Sequence, residues 1–193
     1  MKKLLAIIIL SLCFITPSQA EDIRNFQIEE ISIGDSLLSH FSKEEIEKKQ
    51  KIFFPKSNKF FRISFRRDGN TYDFIGVYLK KNDFNYKVHS LEGSKYMDYL
   101  TCKNKKKKVE SELNSIFKNK YNIVNDEKAH AFDETKKSMV DISEFYGKNN
   151  YLAARIICTD WSKKMEEQEY FDVLSIYILS KEYSAFLINE AYK

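Results

Sequence analysis

The sequence predicts an α+β protein in which an antiparallel sheet, made of two three-stranded meanders, is packed by helices in a single domain. Six apolar runs have the periodicity of strands, and they fall into two groups of three. Helical patterns lie before, between and after these groups, which is typical of α+β proteins rather than of parallel α/β proteins. Glycine and proline are scarce and no linker-like segment divides the chain, so residues 21–193 are expected to form one domain.

The first meander is expected to follow a helical segment over residues 35–50, in which Asp35 is the predicted cap. Ser42 and Glu45 have the spacing of a capping box, which predicts that a second short helix begins there. The next segment alternates apolar and polar side chains, with Arg62 on the outward side, and the one after it is apolar on both faces. The three strands of this meander are predicted over residues 59–67, 71–79 and 86–91.

The second meander is expected to follow the best helical pattern of the chain, over residues 104–119, where Val109 and Leu113 recur at helical spacing. Residues 120–136 are polar and are predicted to be a loop. Ser180 is expected to cap a last helix. Strands are predicted over residues 139–146, 151–161 and 171–179, and Leu152, Ala154, Ile156 and Cys158 are expected to share one face.

Residues 1–20 have the organisation of a cleaved secretory signal peptide, with Lys2 and Lys3 before a short apolar run and small residues before the expected cleavage site after Ala20. The run is too short to span a membrane, which takes about 20 residues. A lipoprotein signal at Cys13 is the alternative, although Leu12 stands where such a signal has a small residue. The sequence therefore predicts a periplasmic or extracellular protein with no transmembrane segment after cleavage.

Export has consequences for charge and for the cysteines. Removal of the signal lowers the net charge of +4 by two, and so balanced a charge argues against nucleic acid as a partner. Cys13 leaves with the signal. The two cysteines that remain, Cys102 and Cys158, are expected to form a disulfide in an oxidising compartment, although two separate buried thiols are the alternative.

One short motif could carry chemistry. Gly34-Asp35-Ser36-Leu37 resembles the first block of GDSL-type (SGNH) hydrolases. The resemblance implies that Ser36 is the nucleophile of a secreted serine esterase. The Asp-x-x-His pair with which that family activates its serine has no counterpart, because His130 is the last histidine. A turn glycine followed by a helix cap explains the same residues, so both interpretations stay open.

Three further groups of residues are candidates for binding. His130, Asp133 and Glu134 could hold a metal, or they could be solvated residues of a loop. The lysine run could bind an anion such as a lipid headgroup or a cell-envelope polymer, or it could be a solvated face. Aromatic residues could line an open sheet face, or they could be core. The run comprises Lys105, Lys106, Lys107 and Lys108, and the aromatic residues are Tyr72, Phe74, Tyr78, Tyr151 and Trp161.

The sequence as a whole favours a small exported protein that is not an enzyme and that binds an unidentified protein or cell-envelope component. It contains no complete catalytic set, and it predicts neither a cofactor nor a metal site. The alternative function is the secreted esterase acting through Ser36. The two differ in what they require of Ser36, because only the esterase needs a base beside its hydroxyl group.

Overall fold

The computed structural model describes residues 26–67, 71–117 and 120–193. Its main feature is one eight-stranded antiparallel sheet, which a small hairpin of two strands precedes in the chain. The hairpin is β1 (Gln27–Ile28) and β2 (Ile31–Ser32). The large sheet comprises β3 (Ile52–Phe54), β4 (Ser57–Arg66), β5 (Phe74–Lys80), β6 (Val88–Tyr96), β7 (Asn122–Ala129), β8 (Met139–Tyr146), β9 (Leu152–Asp160) and β10 (Val173–Leu179).

Four α-helices accompany the strands: α1 (Lys43–Glu47), α2 (Tyr99–Ile116), α3 (Lys163–Glu166) and α4 (Lys181–Asn189). Single 3-10 turns lie at Leu37–Ser39 and Lys148–Asn150. Among the described residues, none of these helices is both long enough and apolar enough to cross a membrane.

The predicted fold class, α+β with two three-stranded meanders, is wrong. The protein is mostly one large antiparallel sheet with few helices, in the strand order β3-β4-β5-β6-β10-β9-β8-β7. The prediction missed β3 and β7, which form the two edges of the sheet. The segment of β7 was expected to be a loop because its sequence is polar. It is polar because an edge strand pairs on one side only and leaves most of its side chains in water.

The two halves of the sheet join where β6 pairs with β10, over seven residue pairs from Val173 opposite Tyr96 to Leu179 opposite Ser90. Side chains alternate between the two faces of a sheet along each strand. We call one face the closed face; it carries Ile63, Val77, Leu91, Ile156, Cys158 and Ile176. We call the other the open face; it carries Arg62, Tyr78, Glu92, Arg155 and Tyr177.

Two parts of the chain cover the core of the closed face. The N-terminal segment contributes Ile28, Ile31, Leu37 and Ile46, all of them buried against the strands of the first half. Helix α2 covers the second half, where its residues Leu113 and Phe117 are buried in the same core. Ser42 and Glu45 form the predicted capping box at the start of α1, which confirms that prediction.

Helix α2 begins at Tyr99, five residues earlier than predicted, because the Asp98 side chain accepts a hydrogen bond from the Thr101 backbone N–H and caps the helix. The early start brings Cys102 over β9. There the sulfur atoms of Cys102 and Cys158 lie 2.03 Å apart, at disulfide distance, so the predicted pair is confirmed. The bond attaches the first turn of α2 to the middle of the second half of the sheet.

Helix α4 covers only one end of the open face. Ser180 caps it as predicted, because its side chain accepts from the Tyr183 backbone N–H. Tyr183 and Phe186 pack on Phe60 and Leu179, in a second core with Leu152. The prediction that Leu152 shares a face with Ala154 is wrong, since the register between β8 and β9 shifts beside Tyr146. None of the other helices in the described part of the chain covers the rest of the open face.

The disulfide generates a prediction about stability. Reduction should lower the free energy of unfolding by about 2–4 kcal/mol, because the bond closes a long loop, 56 residues between its ends, and so restricts the unfolded chain. Urea unfolding with and without dithiothreitol measures the difference. A Cys102→Ser/Cys158→Ser variant is the control and should not respond to dithiothreitol. Two titratable thiols in the denatured, unreduced protein would contradict the pairing.

Candidate functional site

A row of mainly polar residues crosses the open face at right angles to the strands. The register places Tyr177 of β10 opposite both Glu92 of β6 and Arg155 of β9. From Glu92 the pairing continues through β5 to β4, and from Arg155 it continues to β8. From β4 to β8 the complete row is Ser64, Gly76, Glu92, Tyr177, Arg155 and Glu144.

Glu92 is the hydrogen-bond acceptor at the centre of this row, and only 6% of it is exposed. Its Oε2 atom accepts from Arg62 Nε at 2.7 Å and from the Tyr78 hydroxyl at 3.2 Å. Its Oε1 atom accepts from Ser94 Oγ at 2.9 Å. These bonds replace the water that the carboxylate loses on burial, which is what a buried charge requires.

Gly76 makes the Arg62–Glu92 ion pair possible. It lies beside Glu92 in the row and has no side chain, so the guanidinium of Arg62, two residues before Ser64 on β4, crosses above it to reach Glu92. A Cβ atom at this position would lie 2.6 Å from Glu92 Oε2 and 2.8 Å from Arg62 Nε. The glycine is therefore required by close approach of two side chains and not by a turn.

The groups around Glu92 keep their protons at neutral pH. Burial acts to lower the pKa of the Arg62 guanidinium, but the neighbouring Glu92 carboxylate outweighs it, so the pKa is raised. Burial, followed by the charge of Glu92, raises the pKa of the Tyr78 and Tyr177 phenols. The phenols are thus neutral hydrogen-bond donors, and the arginine is a permanent cation.

A second ion pair lies farther along the row. Arg155 Nε donates to Glu144 Oε1 at 2.7 Å, and the Tyr146 hydroxyl donates to Glu144 Oε2 at 2.7 Å. Burial, together with this hydrogen bond to Glu144, raises the pKa of the Tyr146 phenol to about 12. The guanidinium groups of Arg62 and Arg155 therefore each have their own carboxylate.

Arg62, Tyr78, Arg155 and Tyr177 lie in the floor of a groove of about 410 Å³. Ligand pockets in proteins are typically about 300–1,000 Å³ and are mostly apolar with a few polar groups. One wall consists of Tyr183 and Leu187 of α4 with Tyr192 of the C-terminal tail. The floor contains Arg62, Tyr78, Arg155, Ile157, Tyr177 and Leu179, and the rest of the lining consists of Ile52, Phe53, Phe54, Pro55 and Phe132.

Phe132 reaches the groove from the loop between β7 and β8, where 74% of it is exposed. The loop is held by the carboxylate of the buried residue Asp133. That carboxylate accepts from the hydroxyl and backbone N–H of both Thr135 and Ser138, and from the Ser162 hydroxyl. The hydrogen bonds to Thr135 and Ser138 lower the pKa of Asp133 well below its ordinary range.

The candidate metal residues lie in the same loop. The Asp133 carboxylate accepts its hydrogen bonds from hydroxyl and backbone amide groups. His130 Nδ1 accepts a hydrogen bond from the Phe132 backbone N–H. The imidazole of His130 packs at a tilt against Trp161, with ring centroids 4.2 Å apart. Glu134 is exposed. The structure thus gives Asp133 a structural role, which loop composition did not indicate.

Ser36 lies in the segment before α1, where its hydroxyl donates to the Asn85 backbone carbonyl at 2.7 Å. Asp35 does not cap a helix as predicted; its carboxylate accepts from the Ser32 backbone N–H. His40 lies 3.6 Å from that same carboxylate. Ser36 and Asp35 therefore each bond to the backbone, and His40 lies beside Asp35.

The structure divides the lysine run. Lys106 is buried and donates to Asp141 of β8. Lys105, Lys107 and Lys108 are exposed on the outer side of α2. Helical spacing explains this division, because residues 102, 106, 109 and 113 lie on the side that faces the sheet. Of the four lysines in the run, an anion could therefore contact Lys105, Lys107 and Lys108 directly, but not Lys106.

The candidate aromatic residues are also divided. Tyr78 lies in the groove floor, whereas Tyr72 and Tyr151 pack against the core of the closed face. Sequence reasoning missed Glu92, Arg155 and Tyr177 as site residues. For Glu92 the signal is a polar residue at every second position of a strand, as in Ser90-Leu91-Glu92-Gly93-Ser94, whereas Arg155 is a single polar residue in an apolar run.

Comparisons with known proteins add no family to this description. The chain matches no protein-family model, and the searches of curated proteins and of solved structures find no similar protein.

Gly76→Ala tests the crossing of Arg62 above the sheet. The added methyl group should lower the free energy of unfolding by about 1–3 kcal/mol, because overpacking forces the ion pair apart. Urea unfolding measures the change. The matched background is Arg62→Ala/Glu92→Ala, which removes both side chains without leaving an unpaired charge, and there the same substitution should cost much less. An equal cost in both backgrounds would contradict the arrangement.

Proposed function

We propose that this protein is an exported, non-enzymatic binding protein that holds an apolar molecule in the groove of its open face. The observation that carries the proposal is the groove itself, in which apolar and aromatic walls enclose a floor of hydrogen-bonded polar groups. Pockets with this composition bind small molecules, because the walls supply the hydrophobic contribution and the polar groups orient the ligand.

The state of the polar groups favours binding over catalysis. A general acid or base works best with a pKa near the operating pH. The phenols of Tyr78 and Tyr177 have raised pKa values, and Arg62 and Arg155 are paired with carboxylates. Groups in these states hold and orient a ligand, but they do not readily exchange protons with it.

Export is the second part of the proposal, and it depends on residues 1–20, which lie outside the described residues. The disulfide-distance pair of Cys102 and Cys158 supports it, because such bonds persist in oxidising compartments. In the periplasm or outside the cell, the ligand would be an apolar molecule of the cell envelope or of the medium.

The export proposal predicts the mass of the mature protein. Expression of the whole chain in a bacterial host that exports proteins should yield a periplasmic or secreted product that begins at Glu21, because the small residues before it suit signal peptidase. Intact-mass analysis measures this. A product that retains Met1, or one that carries a lipid on Cys13, would overturn it.

The groove proposal predicts binding of a neutral apolar probe. N-phenyl-1-naphthylamine should gain fluorescence on titration with the mature protein, because the groove removes it from water. Leu187→Trp should weaken binding by about tenfold or more, since the larger side chain fills the groove.

Ile188→Trp is the matched control. Ile188 is the next residue of α4, but it is exposed and does not line the groove, so this variant should bind as the wild type does. The proposal fails if the wild type does not bind the probe, or if the two tryptophan variants weaken binding equally.

A further inference from the structure

We infer that the groove selects an amphipathic monoanion, an apolar chain that ends in one carboxylate, and that the carboxylate binds at Arg155, the more exposed of the two arginines that line the groove. The inference rests on the proposed function, because it names the ligand of the same groove. It follows from which charged groups face the groove, from how they are paired, and from the composition of the remaining lining.

The charges that face the groove are positive. Among the described residues that line it, Arg62 and Arg155 are the charged ones. Their carboxylate partners are less exposed than they are. The side chain of Arg62 is 25% exposed against 8% for Glu92, and that of Arg155 is 34% exposed against 19% for Glu144. A ligand therefore meets the guanidinium groups before it meets the carboxylates.

Both guanidinium groups have hydrogen-bond donors left for a ligand. A guanidinium carries five N–H groups. Arg62 contacts Glu92 through Nε and Ser64 through Nη1, and Arg155 contacts Glu144 through Nε and Nη2. An apolar ligand without a charged end would displace water from the other N–H groups and offer them no acceptor. A carboxylate accepts charge-assisted hydrogen bonds from them instead.

The charge balance of the floor favours one negative charge over two. Glu92 and Glu144 offset both arginines, so the groove has little net positive field, and its attraction for anions is limited to direct contact with the guanidinium groups. A dianion would bring its second charge close to these carboxylates, which costs energy at low dielectric. The rest of the ligand must be apolar, because Ile157, Leu179 and Leu187 line the groove beside the arginines.

The test compares dodecanoate, dodecanol and dodecyl phosphate, each below the concentration at which it forms micelles, as competitors of N-phenyl-1-naphthylamine on the mature, disulfide-bonded protein. The three compounds share one alkyl chain and differ in charge. We expect dodecanoate to bind on the order of tenfold or more tighter than dodecanol, and tighter than dodecyl phosphate.

Two variants assign the preference to residues. Arg155→Gln/Glu144→Gln removes one ion pair as a unit, so no carboxylate is left without its cation, and it should reduce the ratio of dodecanoate to dodecanol affinity severalfold. Arg66→Gln removes an arginine of the same strand as Arg62 that is exposed outside the groove, and it should leave the wild-type ratio unchanged. Because each ratio is measured within one variant, a general loss of stability does not alter it.

The outcomes separate this inference from the proposed function. If the naphthylamine binds and dodecanol competes as well as dodecanoate does, the preference for an anion is wrong and the apolar groove stands. If dodecyl phosphate competes best, the preference for a monoanion is wrong. An unchanged ratio in Arg155→Gln/Glu144→Gln also overturns the inference. If neither the naphthylamine nor any alkyl compound binds, the proposed function itself fails.

Discussion

The antiparallel pairing of β6 with β10 is the constraint on which the rest of the structure depends. It joins the two halves of the sheet, and it places Glu92 beside Tyr177, and so in line with Arg155. A slip of one residue would turn every side chain of β10 to the opposite face. Ile176 would then leave the closed core, and Tyr177 would be buried in it, so the apolar pattern and the polar row specify the same register.

The two faces of the sheet are covered to different extents, and the groove results from that difference. The N-terminal segment and α2 cover the core of the closed face, and the disulfide holds α2 in place. Helix α4 follows β10 onto the open face, where Glu182 and Glu190 pair with Lys80 and Lys59 at 2.8 Å. The helix packs over the strand ends that carry Phe60, Leu152 and Leu179, and it ends at Asn189 without covering the middle of that face. The uncovered part, between α4, β3 and the loop of Phe132, is the groove.

The ion pairs of the floor are not a means of stabilising the sheet, because a buried ion pair often contributes no more to the free energy of unfolding than apolar residues of the same volume. Arg62 and Glu92 nevertheless pair across β5, and they can do so because position 76 is a glycine without a side chain. Loss of either partner would leave a buried charge alone, which typically costs about 3–5 kcal/mol. We therefore interpret the pair as part of the proposed binding site and not as a device for stability.

The sequence by itself determined the features that depend on near neighbours along the chain: the capping box of Ser42 and Glu45, the cap at Ser180 and the alternation over residues 59–67. It also indicated the pair of Cys102 and Cys158, because only one pairing is open to two cysteines. Only the tertiary structure decided that polar β7 is a strand, that Lys106 is buried against Asp141, and that Arg62 meets Glu92. The physical reason is that these features depend on partners from other elements. Arg62 and Glu92 are 30 residues apart and come together through β5 and Gly76, and no local pattern specifies that neighbour.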